Sequence, residues 1–101
     1  IKYLDISFNP RLTVFDFGAL PLLEQLDIRD CSLQDIDLSQ ARHLEFLRCS
    51  GNLYWVLDLD KAPALTSVEA YTETLTEITA KEFFKRENAS LLCFETTAIK
   101  R

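Results

Sequence analysis

Few residues in this chain are equipped for covalent or metal chemistry. His43 is the single histidine, set in Gln40-Ala41-Arg42-His43 with no second imidazole to join it. Cys31, Cys49 and Cys93 form no close pair, so a thiolate or imidazole metal set is not expected. Gly18 and Gly51 are the only glycines, which excludes a glycine-rich phosphate loop, and Ser50 has no elbow motif around it. Catalysis needs titratable groups that converge, and none converge here. No catalytic residue, metal, cofactor or enzymatic activity is therefore expected of this segment.

Recognition chemistry is better supplied. Tyr3, Phe8, Phe46 and Tyr71 are large aromatics, and Asp27, Arg29, Arg48 and Glu69 are charged residues that fall at related intervals. Aromatics and arginine are the side chains enriched where interfaces carry their binding energy. These eight are the candidate binding residues. The alternative is an ordinary solvated face on which Arg29 and Arg48 neutralise nearby acids. Trp55 is either wedged beside a corner or an exposed contact residue.

Their positions follow from a repeat. Ile1, Leu23, Leu44, Leu65 and Ala89 each open a segment with apolar residues at positions one, four and six. The phrase LEFLRCSGN, from Leu44, shows the pattern most fully. The ninth position holds Asn9, Cys31, Asn52, Glu73 and Thr97. An asparagine there can satisfy backbone groups of adjacent turns, as a thiol does only weakly. Further on, Phe15-Asp16-Phe17, Ile36-Asp37-Leu38 and Leu57-Asp58-Leu59 align, with Ile78-Thr79-Ala80 after them and Ala19, Ala41 and Ala62 beyond. Apolar residues two apart suit a short extended segment with one edge inward. Each unit can bury that edge only against a neighbour, which is the logic of a solenoid.

In this register the core is expected to hold Ile1, Leu4, Ile6, Leu23, Leu26, Ile28, Leu44, Leu47, Cys49, Leu65, Val68, Ala70, Leu92 and Phe94. Strand residues between them face the opposite way. Position three then reads Tyr3, Gln25, Phe46, Ser67 and Leu91, and position five reads Asp5, Asp27, Arg48, Glu69 and Cys93. Position seven gives Ser7, Arg29, Ser50, Tyr71 and Glu95, and position eight Phe8, Asp30, Gly51, Thr72 and Thr96. A short helix is expected over Ala80 to Asn88, anchored by Phe83 and Phe84, with Lys81, Lys85 and Arg86 on its solvated face.

With these repeats on view, the chain resembles leucine-rich-repeat proteins over nearly its full length. The LEQLDI and LEFLRCSGN phrases are most similar to repeats of the PH-domain leucine-rich-repeat protein phosphatases. Short repeats with an Asp-containing second stretch also occur in bacterial leucine-rich-repeat surface proteins. Departures are Glu73 at the asparagine place and Ala89 at the opening of the last repeat. The expected fold is α/β: a right-handed leucine-rich-repeat solenoid fragment with about five parallel concave strands, loops and a short helix outside. The expected function is a protein-protein interaction module whose concave face binds a protein partner. The resemblance implies that it recruits substrates or scaffolds for a phosphatase domain elsewhere in the parent chain. Two alternatives stand beside it: a bacterial surface or secreted protein binding host protein or glycan, and a structural spacer.

Composition narrows the setting. Hydrophobic residues at 48% argue against disorder. Net charge −5, with −7 in residues 1–80 and +2 in residues 81–101, argues against a nucleic-acid partner. No segment approaches the ~20 apolar residues of a membrane span. Neither end reads as a polar cap, so residues 1–101 are expected to be part of a longer array whose uncapped ends can self-associate. Three scattered cysteines fit reduced thiols and a cytoplasmic location. The sequon Asn88-Ala89-Ser90 stands on the side of the surface or secreted alternative.

Overall fold

The computed structural model describes residues 1–101 and is a parallel β-solenoid, each turn feeding one short strand to a five-stranded sheet. Its strands are β1 (Tyr3–Asp5), β2 (Gln25–Asp27), β3 (Phe46–Arg48), β5 (Ser67–Ala70) and β7 (Ser90–Cys93), in the order β1-β2-β3-β5-β7. The opposite side carries a three-stranded sheet of β4 (Val56–Asp58), β6 (Glu77–Thr79) and β8 (Ala98–Lys100), in that order. All pairs are parallel.

Register is set by the inward apolar column. Leu4, Leu26, Leu47, Val68 and Leu91 pair in succession across the five strands. Leu57, Ile78 and Ile99 do the same on the other side. A one-residue slip would turn every such side chain to solvent, so burial specifies the pairing. Between the sheets lies one continuous core that includes Leu26, Leu47, Leu57, Leu59 and Ile78. Leu47 is fully buried, and truncating such a leucine to alanine costs about 2–5 kcal/mol.

Two local devices turn the chain at the corners. Phe8, Asp30 and Gly51 adopt left-handed backbone angles, with φ of 58°, 54° and 71° as each strand ends. Glycine fits the third of these, because a Cβ on Gly51 would fall 2.2 Å from Asp30 Oδ1 and push that carboxylate aside. On the far side, Asp16, Asp37 and Asp58 each accept a hydrogen bond at Oδ1 from the backbone N–H two residues on, at Gly18, Ser39 and Asp60. Aspartate favours such turns because its short side chain reaches its own backbone. Two of them start 3-10 turns, Phe17–Ala19 and Leu59–Lys61.

Several sequence expectations are corrected. The helix expected over Ala80 to Asn88 is a single 3-10 turn, Phe83–Lys85. Asp60 holds that loop instead, its carboxylate accepting from the amides of Lys81, Glu82 and Phe83 at 2.9–3.0 Å. Lys81 and Lys85 are exposed, while Arg86 turns back and donates to the carbonyls of Ala62 (2.7 Å) and Leu65 (2.6 Å). In the fifth turn Leu91 and Cys93 take the inward places, and Leu92 and Phe94 face out. The register differs by one because Ser90 pairs with Ser67. Ile1 is exposed, with Leu4 and Ile6 only half-buried, since this outermost layer packs on one side alone. Thr72, expected on the open face, is buried. Ala19 is exposed, and Leu20 takes the place equivalent to Ala41 and Ala62, its N–H donating to Phe17 as theirs do to Leu38 and Leu59.

Candidate interaction face

The five-stranded side, where the concave face was expected, carries the candidate binding residues on strands or at the corners just beyond them. Tyr3 on β1 is 60% exposed and Phe8 past its end 66% exposed. Phe46 on β3 is half-buried, and Tyr71, one residue past β5, is exposed. Strand alternation places Tyr3 and Asp5 on the same face, and likewise Glu69 and Tyr71.

The charged residues between them are partly spent on one another. Asp27 is buried although it lies on the open side, because Arg29 closes over it. Arg29 Nε lies 2.9 Å from Asp27 Oδ1 and Nη2 lies 2.7 Å from Oδ2. That hydrogen-bonded carboxylate holds the Arg29 guanidinium more firmly protonated than usual. Arg29 also stands over the Phe8 ring at 5.8 Å from its centroid. Arg48 is placed similarly, 5.1 Å from the Phe46 centroid, with Nε 3.7 Å from Glu69 Oε2. The latter is a charge contact without a hydrogen bond, and Arg48 Nε is an enclosed donor with no partner. Asp5 accepts from the Ser7 hydroxyl at 2.6 Å and its amide at 3.0 Å, which lowers its pKa below the ordinary carboxylate value.

Tyr3 and Phe46 wall a pocket of about 130 Å³, with Gln25, Leu26, Asp27 and Arg48 around it. Tyr71 meets Phe94 edge to face, ring centroids 5.3 Å apart. Leu92, 49% exposed, lies on the same side. Leu92 and Phe94 were missed as surface residues because the run Leu91-Leu92-Cys93-Phe94 fits either alternation. Ser90, matching Ser67 at position three, was the available signal.

Beneath this face a polar ladder ties the turns together. Asn52 donates to the carbonyls of Ile28 (2.9 Å) and Cys49 (3.0 Å), and its Oδ1 accepts from the Leu33 amide at 3.1 Å. Asn9 repeats only the donor half, to Ile6 at 2.7 Å. At Cys31 the thiol reaches the Ile6 carbonyl at 3.4 Å. In the fourth turn Glu73 is exposed and buried Thr72 substitutes, its hydroxyl donating to the Cys49 carbonyl at 3.3 Å. Tyr54 is fully buried, its hydroxyl within 3.0 Å of the Cys49 carbonyl and 3.2 Å of Cys49 Sγ. Burial pushes the Cys49 thiol up to about 12 and raises Tyr54 as well. These groups are locked in structure and out of reach of any ligand.

Elsewhere Trp55 is 70% exposed beside Leu53 and Val56, so it is the exposed alternative that holds, and Tyr54 is the wedged aromatic. His43 is exposed. No three His, Cys, Asp or Glu side chains gather as a metal site would need, and no helix is long and apolar enough to cross a membrane. No family model matches the chain, and no curated protein or solved structure matches it either.

Proposed function

We propose that the chain is a non-catalytic protein-interaction module that engages a protein partner through its five-stranded face. The observation supporting this is the set of aromatics on one side of the molecule, with Tyr3, Phe8 and Tyr71 exposed and Phe46 half-buried, where Tyr3 and Phe46 wall a pocket large enough for a side chain. Solvated sheet faces have no need of so much aromatic surface, whereas aromatic anchors dominate binding energy. The repeat phrasing, LEQLDI and LEFLRCSGN, supports a leucine-rich-repeat relationship through its similarity to the repeats of the PH-domain leucine-rich-repeat phosphatases. On that reading the role is recruitment of substrates or scaffolds to a catalytic domain of the parent chain. Three free thiols, two of them buried, suit a reducing compartment such as the cytoplasm.

Phe46 is the residue to test, since it walls the pocket and supports Arg48. Phe46→Ala is expected to weaken partner binding by about 2 kcal/mol or more, while costing little stability. The measurement is a titration of partners captured by the parent protein, with a melting curve for each variant. Trp55→Ala, on another surface, is the control and should bind normally. Unchanged affinity for Phe46→Ala would remove the reading.

A further inference from the structure

We infer that the partner segment seated on the five-stranded face is basic and extended, with two Lys or Arg side chains docking on Tyr3 with Asp5 and on Tyr71 with Glu69. This rests on the interaction-module reading and gives the partner a chemistry.

Charge distribution is the first argument. The strands of this face with their flanking residues (2–8, 24–30, 45–51, 66–72 and 89–95) hold seven carboxylates and three cations. That is −4 of the chain's net −5, so the excess negative charge lies almost wholly on one side. A face of one sign raises the local concentration of the opposite sign and speeds its approach.

The second argument is that the face already solves this problem twice with its own cations. Arg29 lies over Phe8 while paired to Asp27, and Arg48 lies over Phe46 beside Glu69. Each is a guanidinium held by an aromatic ring and a carboxylate together, a combination that stabilises a cation through both quadrupole and charge. Tyr3 with Asp5, and Tyr71 with Glu69, present the same pair of groups on one face, two residues apart, with no cation over either tyrosine. Asp5 is kept ionised by Ser7 and makes no ion pair. Glu69 has only the long Arg48 contact, which leaves acceptor capacity on its carboxylate.

Geometry then sets the spacing. Tyr3 and Tyr71 are three strands apart and four repeat positions apart along the strand direction. At ~4.8 Å between strands and ~3.3 Å per residue, the separation is about 20 Å. An extended chain covers this in about six residues. Between the two ends, the pocket at Tyr3 and Phe46 takes an apolar side chain of the same segment.

The test is fluorescence anisotropy of the chain with a labelled synthetic peptide carrying two arginines about six residues apart in a threonine-valine background. Comparison peptides place the arginines two apart, or replace them with glutamates. The six-apart peptide is expected to bind best, the glutamate peptide not at all, and added salt to weaken binding. Asp5→Asn with Glu69→Gln should cost about tenfold in affinity, and Tyr3→Ala with Tyr71→Ala at least as much. Glu82→Gln with Glu87→Gln, which removes an equal charge from an exposed loop, should change affinity less than about twofold. Circular dichroism melts establish that the variants fold. The inference is overturned if no arginine peptide binds, if spacing makes no difference, or if Glu82→Gln with Glu87→Gln weakens binding as much as the face variants. In that event a Phe46→Ala variant that still loses the parent protein's partner would leave the interaction module standing and remove only its basic specificity.

Discussion

Cys49 and Tyr54 meet at the centre of the third turn, where burial holds both protons in place. The thiol ordinarily titrates near 9.0 and is pushed to about 12, so in the folded state it stays neutral across that interval. An unfolded chain ionises the same thiol from about 9 upward. Folded protein then binds more protons than unfolded protein, and stability falls as pH rises. The stabilisation is fully present below the unfolded value and is lost progressively toward 12, by at most about 1.4 kcal/mol per pH unit. Chemical denaturation between about pH 8 and pH 10 is expected to show stability level at first and then declining. Cys49→Ala should make the decline shallower; an identical decline would mean that other groups cause it. Asn52 was legible in the sequence, because an asparagine at a repeat corner has a known use for both ends of its amide. Tyr54 and Thr72 were not, because Tyr54 folds back onto Cys49 of its own turn while Thr72 reaches Cys49 and Tyr54 of the turn before, and no repeat position marks either pairing.

At the scale of single elements, β7 shows how burial arbitrates when alternation does not. Four apolar residues in a row, Leu91 to Phe94, leave two registers open. Pairing with β5 selects the one that puts Leu91 beside Val68 and Cys93 beside Ala70. Leu91→Ala is therefore expected to cost about 1.5–3 kcal/mol, and Leu92→Ala no more than about 0.5 kcal/mol. Thermal or denaturant melts of the two variants check this, and the reverse order would restore the shifted register. The first four strands were readable because their apolar and polar positions alternate without ambiguity. The expected helix at Ala80 to Asn88 failed for a different reason. Its helical-looking spacing was real, and Asp60 from the preceding turn even satisfies the first three amides, but the backbone becomes extended at Arg86 (ψ 148°), whose guanidinium is tied to the Ala62 and Leu65 carbonyls.

Across the whole molecule the two sheets are unequal, and stability should follow. The five-stranded sheet spans every turn, whereas the second begins only at β4. No backbone hydrogen bond joins residues 13–22 to 34–43, or residues 34–43 to 55–64. A gap of about 220 Å³ lies between Asp35–Leu38 and Val56–Lys61. Hydrogen exchange is expected to find slow amides in β2, β3, β5 and β6, which pair on both sides, and fast ones at Ile36 to Leu38. Equal protection at Ile36–Leu38 and Leu57–Leu59 would contradict this. The repeat, the parallel five-stranded sheet and its face were legible because a fixed period leaves one way to stack. The missing part of the second ladder was not, since Ile36-Asp37-Leu38 and Leu57-Asp58-Leu59 read alike while only the latter comes within bonding reach of its neighbour.

The first turns are thus bound like pages sewn along one margin, and the last like pages sewn along two. Bending stiffness grows steeply when both margins are fastened. A surface pressing on β1 to β3 can alter the local curvature cheaply, by opening or closing the unsewn back. One pressing on β5 and β7 meets a fixed template. Shape fitting on this face therefore belongs to the end that carries Tyr3, and shape selection to the end that carries Tyr71 and Phe94.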